Sequence, residues 1–406
     1  MNSNLASNSN FPDKDRPSAE WIASLRQRYV IEKSIDKLLT RKLERRAGPG
    51  YQARTLEDLG KGIEELLKAR GVNYFSLVNK RWLAGGASKI QMAFTLDWES
   101  PNVGRTRNNM VLRMEPAESI VETSRLREFQ VIKAMDGLVP VPPVFWCDED
   151  GQYLPYPSLI YGFAEGVTKP KNSTSGVSGA GTTLPDDIRH KLAPQFIQHL
   201  ANIHNFDYRQ ASVDAFDVPK SGIQCAEWGV DWWERVWEED GDEEIPLLRV
   251  AAAWLRRNMP VLDKPSIVHS DYRLGNFLFT EHNCEITALL DWELSRIGDR
   301  HQDLAWTTSQ AFVTLGSDGK TPLVCSMMPE SEFFEGYQQV SGLTVNPATL
   351  HWYKIYNNYS LAILLVGSGY RVARNGKTHQ DVLVAWLSGL AYVVLDQMRS
   401  QLESGG

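Results

Sequence analysis

The segment "FLFTEHNCEITALLDWE", Phe277 to Glu293, sets two apolar runs on either side of a polar turn, a pattern that predicts an antiparallel hairpin. Phe277 and Phe279 lie on one arm and Ile286 and Leu289–Leu290 on the other, about a centre near Asn283 and Cys284. Asn276 and Asp291 flank the arms at about equal distance from that centre, so pairing should bring their side chains together. A carboxamide oxygen beside a carboxylate is a hard-oxygen pair of the kind that suits Mg2+.

The residues just upstream, "HSDYRLGN", add the groups such a pair needs for chemistry. Asp271 should project from the loop before the hairpin, near the metal but outside the strands, where it can take a proton from an incoming hydroxyl or orient it. Moving a phosphoryl group requires positioning and charge neutralisation more than covalent participation, and a metal pair beside a free carboxylate is the minimum set. Arg273 would bring positive charge close to the transferring phosphate. Asp271 and Asn276 also keep the spacing of the kinase catalytic loop, and Asp291 stands where a metal-binding Asp follows it.

The rest of the chain can house such a site. Its 406 residues, 42% hydrophobic and 23% charged, predict a soluble globular protein with room for two lobes. No continuous apolar run reaches the roughly 18 residues of a membrane span, and the polar start lacks a secretory h-region, so a cytoplasmic protein is expected, without a membrane partner. Cys147, Cys225, Cys284 and Cys325 show no CxxC spacing and read as free thiols. A net charge of −7 without a Lys/Arg stripe argues against nucleic-acid binding.

Residues 1–17 read as disordered. A helical pattern follows from Ser18 to about Arg46, with Ser18 and Ser34 as available caps, and a second runs from Thr55 to a stop at Gly71. The texture then changes to strands: two around the Gly turn of "LAGGASK", a third in "NNMVLRME", and, after a helical stretch, a short apolar one in "SLIYGFAEG". The Gly/Ser/Thr-rich segment from Lys169 to Pro185 reads as a surface insertion, and beyond it the pattern is mainly helical.

"VHSDYRLGNFLF" and "LLDWELSRIGDRHQDLAW" resemble the aminoglycoside phosphotransferase/choline kinase superfamily, and within it the branch of kinase-like domains fused to acyl-CoA dehydrogenases. The resemblance spans roughly Leu56 to Leu395. It implies an α+β, bilobal protein-kinase-like fold with a small strand-rich N-lobe and a larger, mainly helical C-lobe. The lobes would divide the chain into an N-terminal extension over 1–50, an N-lobe over 51–163 and a C-lobe over 164–406, with a flexible insertion at 169–185. It also implies ATP and Mg2+ as cofactors and the hydroxyl of a small molecule as acceptor. The dehydrogenase-linked branch points to a hydroxyacyl-CoA or related hydroxylated metabolite. An antibiotic-inactivating kinase is the alternative, and a catalytically inactive kinase-like module is a third reading.

On this resemblance Gly85 and Gly86 would let backbone N–H groups approach the phosphates, with Ser88 adding a hydroxyl. Arg113 stands where protein kinases carry their ATP-pairing lysine, a departure that a bidentate guanidinium can accommodate. Its partner would be Glu128, with Glu122 as the fallback, and the backbone of Tyr161 to Phe163 would read the adenine edge. His269 and His204 are read as structural, Asp303 as a cap and loop tie, and "EEDGDEE", Glu238 to Glu244, as a solvated acidic loop. Glu293 is ambiguous between a surface and a site role. Trp228, Trp232, Trp233 and Trp237 fit either an acceptor pocket or a buried helix face.

Overall fold

The computed structural model describes residues 13–83, 88–101, 103–171, 181–220 and 222–404. The N-terminal helical pattern forms two helices, α1 (Ala19–Arg28) and α2 (Lys33–Arg45). The break between them is held from outside: the Val30 N–H donates to Asp231 at 3.2 Å and the Lys33 N–H to Asp217 at 2.5 Å. Ser18 caps α1 by accepting the Trp21 N–H, but Glu32 stands at the N-cap of α2 and Ser34 lies inside its first turn. Helix α3 (Leu56–Ala69) opens on a reciprocal capping box between Thr55 and Asp58 and ends before Gly71, whose φ of 79° suits a residue without Cβ.

The strand-rich lobe is a five-stranded antiparallel sheet. Its strands are β1 (Phe75–Trp82), β2 (Ile90–Ser100), β3 (Gly104–Met114), β4 (Val144–Asp148) and β5 (Ser158–Gly162), in the order β1-β2-β3-β5-β4, and α4 (Arg125–Met135) lies between β3 and β4 in sequence. Met110, Leu112 and Met114 pack with Leu59, Ile63 and Leu66 of α3, so the alternation in "NNMVLRME" is a core face. Strand β4 escapes a reading by pattern because Pro140, Pro142 and Pro143 mark its approach as loop.

The larger lobe begins with α5 (Asp186–Asn205), α6 (Gln224–Asp240) and α7 (Pro246–Arg257). Four short strands follow as two pairs, β6 (Ser266–Val268) with β9 (Arg296–Gly298) and β7 (Phe277–Thr280) with β8 (Glu285–Leu289). Next come α8 (His301–Thr307), the pair β10 (Val313–Leu315) and β11 (Pro322–Val324), α9 (Glu330–Ser341) and α10 (Pro347–Ile363). A π-helical turn over Leu364–Gly369 leads into α11 (Tyr370–Arg374), and α12 (Asp381–Leu387) and α13 (Ala391–Ser404) close the chain. Phe196 of α5 stacks near Tyr272, Phe277 and Phe333, which seats the catalytic-loop region on the main core.

Two expectations are corrected, and one feature was passed over. The described ends of the 169–185 insertion are anchored to the body. Val167 bridges Phe279, Thr182 and Leu184 are buried, and the Leu184 N–H donates to Ser326 at 2.8 Å; residues 172–180 lie outside the described ones. Asp13–Pro17, expected to be disordered, is described as ordered chain, and residues 1–12 are outside the description. Helical chain over Asp381–Ser404 is long and apolar enough, by length and composition, to cross a membrane. Pattern reading passed over it because Ser388 and the flanking charges interrupt the apolar run.

Candidate active site

Strands β6 and β9 pair with Val268 opposite Arg296 and launch the chain into the loop His269–Asn276. Ser270 sits there at φ 67°, a left-handed conformation that a non-glycine residue adopts only when its surroundings enforce it. Asp303 of α8 supplies the constraint: its carboxylate accepts the His269 N–H at 2.8 Å and the Ser270 N–H at 2.6 Å. Asp303 is therefore the loop tie. It is not the cap, because it lies within the first turn of α8 and the His301 N–H goes to Asp299 at 2.9 Å. His269 is built in as scaffolding, with Nε2 donating to the Leu290 carbonyl at 3.0 Å and Nδ1 accepting the Asp271 N–H at 3.2 Å. His204 is a core residue between Tyr337 and Asp303.

The Asp271 carboxylate is surrounded by donors. Oδ1 accepts from Trp306 Nε1 at 2.6 Å and Arg273 Nε at 2.7 Å, and Oδ2 accepts from Asn276 Nδ2 at 2.5 Å. Arg273, mostly buried with its guanidinium 5.1 Å from the Phe312 ring centre, grips Asp271 instead of projecting outward. The N–H2 of Asn276 is committed to Asp271, which leaves the carboxamide oxygen as its donor to a cation. Trp306 was not singled out from sequence: an indole five residues into "HQDLAW" reads as core until the loop places Asp271 against its N–H.

The hairpin forms, but its register is one residue off the symmetric expectation. Phe277 pairs with Leu289 and Leu278 with Ala288, then the register slips and Phe279 pairs with Ile286. This β-bulge at Thr287 adds one residue to the second arm, so Asn276 faces Leu290, whose N–H it accepts at 2.8 Å. Asp291 comes one step later, turned at φ 64°, ψ 50°.

From the other lobe, Arg113 on β3 reaches this point. Its Nη2 lies 2.5 Å from Asp291 Oδ1 and 3.1 Å from Glu293 Oε2, and its Nε lies 3.5 Å from Glu128 Oε1. Glu128 is thus the α4 partner. Glu122 instead accepts the Ser119 N–H at 3.0 Å, and burial together with the Glu115 carboxylate pushes it up to about 7. Glu293 joins the same cluster, meeting Lys89 at 3.1 Å and Arg125 at 3.2 Å. Burial opposes its charge, but Lys89, Arg113 and Arg125 together hold its carboxyl well below the usual range.

Ser88 is tied to the cluster by a 3.0 Å hydrogen bond to Glu293; Gly85 and Gly86 lie outside the described residues. Tyr161 is a neighbour of Arg113, and burial pushes its phenol up to about 12. The backbone around it is less available than expected: the Gly162 N–H goes to the Pro143 carbonyl and the Phe163 N–H to that of Asn109, both at 2.8 Å. The Phe163 side chain is exposed, under the Arg81 guanidinium at 5.7 Å.

Beside Ser270 opens a cavity of about 60 Å3, walled by Trp232, Trp233, Leu294, Trp306, Tyr356 and Leu364. The rings of Trp232 and Trp233 stack at 5.4 Å and 13°, so these two tryptophans are both buried helix face and pocket wall. Trp237 faces a different cleft, near Asp242 and Arg371. The Glu238–Glu244 segment is not a solvated loop, since Glu239 and Asp240 are buried against Lys42, Arg46 and Arg235.

A strand-rich lobe and a helical lobe meeting at an Asp271, Asn276 and Asp291 constellation define a bilobal small-molecule kinase. Residues 92–326 match the model of the Phosphotransferase enzyme family, APH, and the chain belongs to that family. Acyl-CoA dehydrogenase family member 10 of Mus musculus is 29% identical over 49% of this chain, and family member 11 of Rattus norvegicus is 25% identical over 67%. The chain spans only 18% and 35% of the lengths of those two relatives. Among solved structures, a Ralstonia eutropha protein assigned as an aminoglycoside phosphotransferase aligns at a TM-score of 0.58 and 20% identity, covering 84% of this chain and 98% of that one. A type I macrolide 2'-phosphotransferase aligns at 0.51 and 18%, covering 80% and 97%. These structures share the fold.

Proposed function

We propose that this kinase transfers the γ-phosphoryl group of ATP, with Mg2+, to a hydroxyl of a small molecule, best read as a hydroxyacyl-CoA or related hydroxylated metabolite. The observation that carries the reading is the convergence of Asp271 from the catalytic loop, the Asn276 and Asp291 oxygens from the hairpin, and Arg113 from the sheet. Among the described residues no group of three or more His, Cys, Asp or Glu is arranged to hold a metal. One carboxylate and one carboxamide would suit, by their oxygen-donor chemistry, a hard cation that takes its other ligands from phosphate and water, as Mg2+ does. When bound, Mg2+ neutralises charge on the phosphoryl oxygens.

The chain's own residues do the rest. Asp271 accepts the acceptor hydroxyl's proton as the new O–P bond forms and the bond from the γ-phosphorus to the β-bridging oxygen breaks. Trp306 and Arg273 fix the orientation of that carboxylate. Arg113 pairs with the phosphates, and Glu128 holds it in place.

The cavity beside Ser270, at about 60 Å3 too small to enclose a metabolite, bears only on the end of the acceptor next to the catalytic loop; its described lining includes one cation, Arg296, and no carboxylate. An aminoglycoside is polycationic and calls for carboxylates, so this wall chemistry favours an acceptor with an apolar part. The names of the dehydrogenase relatives point the same way. The test is ADP release measured across hydroxyacyl-CoAs, aminoglycosides and macrolides with the intact chain. Turnover confined to an antibiotic would replace the acceptor assignment, and no turnover or nucleotide binding with any of them would count against the kinase chemistry itself.

A further inference from the structure

Asp291 is the carboxylate that the metal needs, and in this structure it is engaged by a cation of the protein. Its Oδ1 lies 2.5 Å from Arg113 Nη2, and its side chain keeps 29% of its exposure where that of Arg113 keeps 6%. Among the described ion pairs Asp291 has this single partner. The other carboxylates around Arg113 are supplied redundantly: Glu293 also meets Lys89 at 3.1 Å and Arg125 at 3.2 Å, and Glu128 is also paired with Arg125. Glu115, one turn of the network further on, has Lys89 at 2.9 Å and Arg125 at 2.9 Å.

The asymmetry has a physical consequence. If the guanidinium of Arg113 swings away, Glu128 and Glu293 remain neutralised and only Asp291 is left without a cation. Arg113 is the buried member of the pair, and a buried guanidinium left without its counter-ions is costly, so Arg113 can move only toward another anion, or when another cation arrives at Asp291. A triphosphate offers the first and its bound metal the second. A bare divalent cation offers only the second. It would have to displace the guanidinium and, with one carboxylate and one carboxamide to receive it, would find too few protein ligands.

We infer that Arg113 acts as an internal counter-ion that keeps Asp291 closed to a free divalent cation, and that a nucleoside triphosphate opens the pair by drawing the guanidinium onto its phosphates. Metal and nucleotide therefore enter together. The inference rests on the phosphoryl-transfer reading, which it extends from which groups bind to the order in which they can. It also gives a reason for arginine at this position: the planar fork reaches Asp291 and Glu293 through Nη2 and Glu128 through Nε.

The test measures Mn2+ binding to the intact chain by electron paramagnetic resonance, alone and with a non-hydrolysable ATP analogue. Wild type should bind Mn2+ weakly on its own and at least tenfold more tightly with the analogue. Arg113→Gln should move the two affinities in opposite directions, with Mn2+ alone binding at least tenfold more tightly and the Mn2+–analogue complex at least tenfold more weakly. Adding Asp291→Asn should erase the gain in metal-only affinity. A general loosening of the fold would weaken both affinities, and Arg113→Lys, which keeps the buried charge, should fall between wild type and Arg113→Gln. Metal-only affinity that is equal in wild type and Arg113→Gln, with analogue binding intact in wild type, would overturn the inference alone. Failure of wild type to bind the Mn2+–analogue complex would overturn the phosphoryl-transfer reading and the inference with it.

Discussion

At the scale of single residues, the candidate site depends on how the Asp271 carboxylate is held. Three donors from Trp306, Arg273 and Asn276 surround it, so its position is fixed before an acceptor arrives. Asp271→Asn keeps the shape and removes the proton acceptor. It should lower kcat about a hundred- to ten-thousand-fold while leaving the affinity for ATP within a few-fold, as read by steady-state kinetics and nucleotide titration. A kcat within threefold of wild type would remove Asp271 from the role of base. Glu122 supplies a prediction of a different kind. Its folded value of about 7 lies above the ordinary one near 4.5, so between those values the folded state binds more protons than the unfolded one. Stability that Glu122 contributes below pH 4.5 is thus lost as pH rises toward 7. Glu122→Gln should flatten the fall in Tm over that window, and an unchanged slope would exclude the group as its source. Asp271, Asn276 and Asp291 were read from spacing along the loop and hairpin, and Arg113 and Glu128 only through the family resemblance. Trp306 and the three-cation shell of Glu293 were not legible, because those contacts form between residues tens to hundreds of positions apart.

At the scale of elements, the pattern carried the long amphipathic helices and the first three strands, where periodicity has room to repeat. It did not carry β6 and β9, three residues each, or β4 behind its prolines. The hairpin shows what pattern alone leaves open. Two apolar arms and a polar turn predict the pairing, but the Thr280–Glu285 pairing at the tip sets the register, and the bulge at Thr287 brings Asp291 from two residues past the partner of Asn276 to one. Helix α3 offers an element-level test, because its reciprocal Thr55–Asp58 box satisfies backbone donors at the helix N-terminus. Thr55→Ala should cost about 1 kcal/mol in chemical denaturation. Nucleotide binding should be unchanged, since α3 packs behind the sheet and does not face the hairpin.

At the scale of the whole molecule, the two N-terminal helices are tied into the body through the acidic segment that ends α6. Arg46 Nη2 meets Asp240 Oδ1 at 2.7 Å and Glu118 at 3.3 Å, its Nη1 donates to the Glu239 carbonyl at 3.0 Å, and Lys42 meets Glu239 at 2.7 Å and Asp240 at 2.9 Å. Ser368 of the π-helical turn donates to Asp240 at 2.9 Å, and the Arg371 Nε donates to its carbonyl at 3.0 Å. One buried carboxylate therefore joins α2, α6 and the closing helices. A run of seven residues with six acids looks solvated in sequence because two of its cations, Lys42 and Arg46, lie 198 and 194 positions from Asp240. Burial alone would raise the Asp240 carboxyl, but Lys42 and Arg46 hold it below its ordinary range. A depressed folded value means that the pair's stabilisation is present above the unfolded value near 3.9 and is lost as pH falls below it. Removing one partner strands the other in the interior, so Arg46→Met should cost about 3–5 kcal/mol at pH 7. Asp240→Asn should flatten the acid limb of the stability profile relative to wild type, as measured by urea unfolding from pH 5 down to about pH 2. If Arg46→Met left the urea midpoint unchanged, the N-terminal helices would be passengers on the kinase body and not part of its cooperative unit.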